Sequence, residues 1–251
     1  MSHLLDNPVI SQRYFFPRPP APTRPFPVVS AGLTLACQYI RPHQDAPTVI
    51  FFHGNGEVVA DYPAAFHHCF TNLGVNLLMA EYRGYGGSDG EPALVAMFDD
   101  VPALVAATGV APDRIILFGR SLGSYYAAHG VSLFPDVAGL VLESGIADPL
   151  ERLLLRVSPE ELGCSEDEFE AAVTRDLNQR AKLSGYKGHQ LVMHTRHDGL
   201  VDLSHAERNH AWAGGTSRLK VFERGTHNSI LVENTEEYFQ TFAAFLDDVF
   251  G

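Results

Sequence analysis

Apolar positions in this chain follow two periods. Short runs that are apolar on both faces recur at Thr48–Phe52, Asn76–Ala80, Arg114–Phe118, Gly139–Ser144 and Gln190–His194. That is the pattern of central parallel strands, buried on both sides. Between them lie stretches with helical spacing. Tyr62–Leu73 puts Phe66 and Phe70 on one face, and Thr235–Phe250 lines up Tyr238, Phe239, Phe242, Phe245, Leu246 and Val249. Ala93–Thr108, Leu122–Leu133 and Leu203–Ala213 also read as helices. Pro102 predicts a kink or a restart in the first of these, and Gly214-Gly215 stops the last. Ser217–Glu223 reads as a final short strand. Strands alternating with helices predict an α/β fold, a mostly parallel central sheet with helices on both faces. Ligands of such sheets bind beyond the carboxyl ends of the strands.

Three stretches depart from this rhythm. Residues 1–27 are dense in proline, with Tyr14, Phe15 and Phe16 among them. Proline at that density disfavours helix and central strand, so an extended arm is expected, its aromatics on the domain surface. Val28–Ile40 alternates like an antiparallel pair of strands turning near Gly32. Residues 145–188 are too long for one crossover helix and predict a small helical cap insertion. In it, Leu150–Val157 is amphipathic, and Ser165 followed by Glu166, Asp167 and Glu168 suits a helix start. The domain reading is therefore a Pro-rich N-terminal arm, 1–27, and one α/β domain, 28–251, that carries the cap at 145–188.

The chemistry centres on Phe118-Gly119-Arg120-Ser121-Leu122-Gly123-Ser124, between a strand and a helix. Strand, Gly-x-Ser-x-Gly, helix is the arrangement of a nucleophile elbow. A sharp turn strains the serine backbone and crowds its neighbours, so glycines two before and two after leave room. The hydroxyl then stands at a helix N-terminus, which favours a developing anion. Asp198 and His227 each follow a predicted strand by a short loop, which makes the chain order Ser121, Asp198, His227. A histidine can take the serine proton and return it to the leaving group, and an aspartate fixes the histidine tautomer. Asp202, the rival acid, sits where a helix cap is expected. His53-Gly54-Asn55-Gly56 follows a strand end. Backbone N–H groups of Asn55 and of Leu122 are expected to form the oxyanion hole, and His53 is expected to hydrogen-bond within its loop. The glycine-rich loop Glu81–Gly90 lacks a P-loop lysine or a dinucleotide spacing and reads as structural. His194, His197, His205 and His210 are pairs at short spacing without a convergent third ligand, so no metal and no cofactor are expected.

Together these motifs resemble the α/β-hydrolase superfamily, from about Val28 to the C-terminus. Within it they are similar to serine hydrolases related to the alpha/beta hydrolase domain-containing proteins 13 and 17 and the yeast-type Bem46 group. The resemblance implies the α/β-hydrolase fold and a catalytic triad of Ser121, Asp198 and His227. Two positions depart from it: Glu81 ends a strand where aspartate is more familiar, and the acid region reads His194-Thr195-Arg196-His197-Asp198. Arg120 should point beneath the elbow and pair with Glu143 or Glu81.

Composition narrows the partners. The net charge is −12 over 251 residues, which argues against nucleic acid or an anionic membrane. Cys37, Cys69 and Cys164 form no CxxC pair, and no leader-like start or membrane-length apolar run is visible. A cytoplasmic setting and no stable membrane anchor are expected; the oligomeric state is open. The expected activity is cleavage of a carboxylic ester, thioester or amide in a small-molecule acyl substrate. The cap leucines suggest an apolar acyl pocket. The alternatives are a non-catalytic ligand-binding homologue and a serine acyltransferase.

Overall fold

The structure, a computed structural model, describes residues 3–251. Eight strands form one sheet: β1 (Phe26–Ser30), β2 (Leu33–Ile40), β3 (Thr48–Phe52), β4 (Asn76–Ala80), β5 (Ile115–Arg120), β6 (Gly139–Glu143), β7 (His189–Thr195) and β8 (Ser217–Phe222). Their order across the sheet is β1-β2-β4-β3-β5-β6-β7-β8. β1 and β2 pair antiparallel, as does β2 with β4; every pairing from β4 through β8 is parallel. Every residue of β3, β4, β5 and β6 is buried. Alternate side chains feed two cores. Val49, Phe51, Ile116 and Phe118 enter the one covered by Phe70 and Phe242, while Ile50, Phe52 and Leu117 enter the one that contains Tyr126 and Ala127.

The helices are α1 (Pro8–Tyr14), α2 (Ala64–Thr71), α3 (Asp100–Thr108), α4 (Gly123–Leu133), α5 (Pro149–Leu154), α6 (Glu166–Asp176), α7 (Gln179–Gly185), α8 (Leu203–Ala211), α9 (Ile230–Glu233) and α10 (Thr235–Phe250). α2 and α10 cover one face of the sheet, α3 and α4 the other. The restart expected near Pro102 is a junction. A 3-10 turn, Ala96–Asp99, runs into α3, so Pro102 falls in the first turn, where an absent N–H costs nothing. α3 stops at Gly109, in the left-handed region at φ 66°. α6 starts with a reciprocal cap: Glu168 N donates to Ser165 Oγ at 3.2 Å and Ser165 N to Glu168 Oε2 at 2.8 Å. α7 was not expected, although Asn178, whose side chain caps Ala181 N at 2.9 Å, marks its start.

The N-terminal segment corrects the sequence reading. Pro8 opens α1 at a position where proline is tolerated, behind an Asn7 cap that accepts from Val9 N at 2.9 Å. Leu5 and Ile10 are fully buried, Tyr14 and Phe15 nearly so, and only Phe16 of the aromatic trio is exposed. Proline density limits where a helix can begin. It does not prevent one turn set from forming when apolar residues can reach the core. No described helix is long and apolar enough to cross a membrane.

Ile10→Ala is therefore expected to destabilise the protein by about 2–5 kcal/mol, the range for emptying a packed core site. Urea unfolding checks this; a change below about 0.5 kcal/mol would mean the segment is only draped on the surface.

Candidate active site

β5 delivers Ser121 at its carboxyl end in the left-handed region, φ 51°. A non-glycine residue held there costs about 1–3 kcal/mol and needs its surroundings to enforce it. The enforcement is visible. Ser121 N donates to Glu143 O at 2.8 Å, and Ser124 Oγ donates to Ser121 O at 2.6 Å. A Cβ on Gly119 would stand 2.6 Å from Gly123 O, and one on Gly123 would collide with Phe52 O. Both elbow glycines are thus required by packing, as the spacing implied.

Ser121, Asp198 and His227 come together from the ends of β5, β7 and β8. Ser121 Oγ lies 2.9 Å from His227 Nε2, and His227 Nδ1 lies 2.7 Å from Asp198 Oδ2. The carboxylate accepts, so Nδ1 carries the proton and Nε2 is free to accept from the serine. Asp198 Oδ1 also accepts from Leu200 N at 2.9 Å and Val201 N at 2.8 Å. Burial pushes the Asp198 carboxyl up, but His227 and the two amides outweigh it and hold it at about 2. Asp202 caps α8 through Ser204 N at 2.9 Å, the role expected for it. His194 Nε2 donates to Val201 O at 2.9 Å.

Asn55 and Leu122 border the same cavity as Ser121. Neither backbone N–H is spent on another protein group among the described residues. The Asn55 side chain is anchored: it accepts from Phe16 N at 3.1 Å and from Tyr85 hydroxyl at 2.9 Å, and donates to Tyr14 O. His53 is fully buried and reaches outside its loop as well as within it. Nδ1 donates to Gly54 O at 2.8 Å and Nε2 to Glu81 Oε1 at 2.7 Å. Burial alone would discharge His53, yet Glu81 overrides it and the pKa is raised. Glu81 also accepts from Val59 N at 2.8 Å. The glycine-rich loop serves structure, because a Cβ on Gly86 would strike the Glu81 carboxylate.

Arg120 pairs with Glu143 at 3.0 Å, an ion-pair contact rather than a directed hydrogen bond, as one of the two expectations had it. Glu81 is excluded by its bond to His53. The unexpected second partner is Glu57, which takes Arg120 Nη1. Arg120 Nη2 also donates to His227 O at 3.0 Å. Burial raises both acids; for Glu57 the guanidinium wins and the pKa falls, whereas for Glu143 burial wins and it rises. No spacing rule could have pointed to Glu57.

The cavity has a volume of about 180 Å³. Its walls include Tyr14, Phe16 and Leu200, and from the insertion at 145–188 Ile146, Arg152 and Arg156 but none of its leucines. This corrects the expected leucine-lined pocket. Leu153 faces the core and is fully buried, while Leu154 and Leu155 are 50% and 62% exposed.

Comparisons with known proteins agree with this architecture. The family described as serine aminopeptidase, S33, matches residues 43–160, a span that holds the elbow and ends before Asp198 and His227. Alpha/beta hydrolase domain-containing protein WAV2 of Arabidopsis thaliana is 33% identical over 129 residues, 49% of this chain and 42% of that protein. Alpha/beta hydrolase domain-containing protein 17C of Xenopus tropicalis is 28% identical over 181 residues, 69% of this chain and 54% of that one. The chain thus spans about half the length of these relatives. Among solved structures, Est1E of Butyrivibrio proteoclasticus superposes with a TM-score of 0.75 at 18% identity, over 89% of this chain and 98% of that one. The Pyrococcus furiosus esterase Pf2001 gives 0.73 at 18% identity, over 94% and 100%. The chain has the α/β-hydrolase fold and resembles the domain-containing 17 proteins.

Arg120→Met would leave the buried Glu143 and the half-buried Glu57 without their cation. The expected loss is about 3–5 kcal/mol in urea unfolding; less than about 1 kcal/mol would mean the network is dispensable. Asp198 has a folded pKa below its unfolded value of 3.8. Its stabilisation is therefore full above about pH 4 and drains away as pH falls toward 2. The stability gap between wild type and Asp198→Asn should narrow over that window in urea titrations, and a gap that stays constant would count against this assignment.

Proposed function

We propose that the chain is a serine hydrolase that cleaves an ester, thioester or amide through an acyl-enzyme on Ser121. The observation that carries this reading is the unbroken relay from Ser121 Oγ through His227 to Asp198, at 2.9 and 2.7 Å, on a strained elbow that faces a cavity. In this mechanism Ser121 Oγ attacks the substrate carbonyl carbon while His227 Nε2 takes its proton. The oxyanion is stabilised by the Asn55 and Leu122 N–H groups and by the N-terminus of α4. Collapse of the tetrahedral intermediate expels the leaving group, which collects the proton from His227. Water then repeats the sequence in reverse and frees Ser121. Asp198 stabilises the imidazolium in both halves. A cavity of about 180 Å³ suits a small acyl substrate, as it lies below the range of roughly 300–1,000 Å³ typical of larger ligand pockets. Residues 145–188 act as the cap on the domain, and a cytoplasmic setting fits three free cysteines.

Ser121→Ala is expected to lower kcat by roughly 10⁴- to 10⁶-fold on p-nitrophenyl acetate, since the members of such a relay act as a unit. A fluorophosphonate probe should label wild type and neither Ser121→Ala nor His227→Ala. Labelling that survives at another residue, or none in wild type, would sink the proposal.

A further inference from the structure

The cavity that holds Ser121 and His227 has an electrostatic character that the relay does not use. Arg152 on α5 and Arg156 in the turn after it both line it. The turn continues the helical path, since Val157 N donates to Leu153 O at 3.0 Å. Residues four apart on such a path share a face, and two like charges placed so repel each other. Several arginines elsewhere resolve their charge: Arg83, Arg120, Arg196, Arg208 and Arg218 each meet a carboxylate, whereas Arg24, Arg41, Arg114, Arg180 and Arg224, away from the cavity, meet none among the described residues. Arg152 and Arg156 meet none among the described residues, in a chain whose net charge is −12. No acidic residue is among those lining the cavity. The third cation there, Arg120, is already balanced by Glu57 and Glu143.

Arg156 is also oriented. The Arg156 guanidinium sits over the Phe16 ring, 5.4 Å from its centroid, a stacking that holds the fork in place at little entropic cost. Burial pushes the Tyr14 hydroxyl up, while its bond with Tyr125 and the charges of Arg152 and Arg156 pull the other way. Both guanidiniums therefore stand near enough to Tyr14, a residue of the cavity wall, for their charge to reach it.

We propose that Arg152 and Arg156 form a subsite for an anionic oxygen group, carboxylate or phosphate, carried by the substrate of Ser121. The substrate class is then an acid that also contains the ester, thioester or amide to be cleaved. This rests on the hydrolase reading above. A forked guanidinium takes two oxygens of a carboxylate or phosphate at once, so an anion between the two arginines relieves their repulsion and fixes the distance of the scissile carbonyl from Ser121.

The test compares three anionic esters with neutral counterparts, each corrected for spontaneous hydrolysis. They are p-nitrophenyl glutarate, 4-acetoxybenzoate and 4-acetoxyphenyl phosphate, which place a carboxylate on the acyl side, a carboxylate on the leaving group and a phosphate on the leaving group. At least one should exceed its neutral counterpart in kcat/KM by about 10- to 100-fold. In the Arg152→Gln/Arg156→Gln double variant that ratio should fall to about one. No preference in wild type, or a preference that survives the double variant, overturns the subsite while Ser121 labelling by fluorophosphonate keeps the hydrolase reading. If wild type neither hydrolyses these esters nor is labelled, the hydrolase reading fails by itself. Calorimetry with glutarate and with inorganic phosphate then decides the subsite: binding that the double variant loses upholds it, and no binding to wild type overturns it.

Discussion

The guanidinium of Arg120 meets Glu57, Glu143, the carbonyl of His227 and Asn228 Oδ1. Those four groups belong to the loop after β3, the end of β6 and the loop after β8, and Arg120 itself immediately precedes Ser121. Glu57 passes the restraint on, accepting from Gly54 N at 2.7 Å and Tyr62 hydroxyl at 2.6 Å. One buried cation thus ties the elbow, the Asn55 loop and the His227 loop to each other. Burying charge is costly unless each group is paired, so displacing any one of these groups would leave another without its partner. A site whose chemistry tolerates errors of only about half an ångström needs that kind of support.

A second restraint comes from the N-terminal segment. Tyr14 and Phe16 engage the Asn55 side chain, and Phe16 N also donates to the Tyr85 hydroxyl at 2.9 Å. The buried His53–Glu81 pair fixes the same loop from beneath. The segment that looked like an appendage is therefore part of the wall around Ser121, and its anchors, Leu5 and Ile10, lie in the core.

Much of the architecture was legible along the chain. Two-faced apolar runs marked β3 to β7 because the middle of a strand covered on both sides is filled by apolar residues, with polar ones held to its ends. Ser121, Asp198 and His227 were legible because each sits just past a strand, in an order that suits one site. The misses share a cause. Pro8 and its neighbours counted as helix breakers, although position within the first turn removes the penalty. α7 was overlooked since its apolar stripe is short and its cap, Asn178, is a weak cue. The leucines of the insertion suggested an apolar pocket, whereas Leu153 turned to the core and Leu154 and Leu155 to solvent. Periodicity says that one helix face is apolar, not what that face will meet.

The sequence by itself determined the sheet, the elbow and the order of the three groups. Those depend on local backbone geometry and on burial, which a window of a few residues encodes. Only the tertiary structure decided that Arg120 takes Glu57 across 63 positions and the carbonyl of His227 across 107. Only it decided that Glu81 belongs to His53 and that Arg152 and Arg156 face the cavity unpaired. Charges choose partners by distance in space, and in a chain with 30 acidic and 18 basic side chains spacing along the sequence cannot say which will meet.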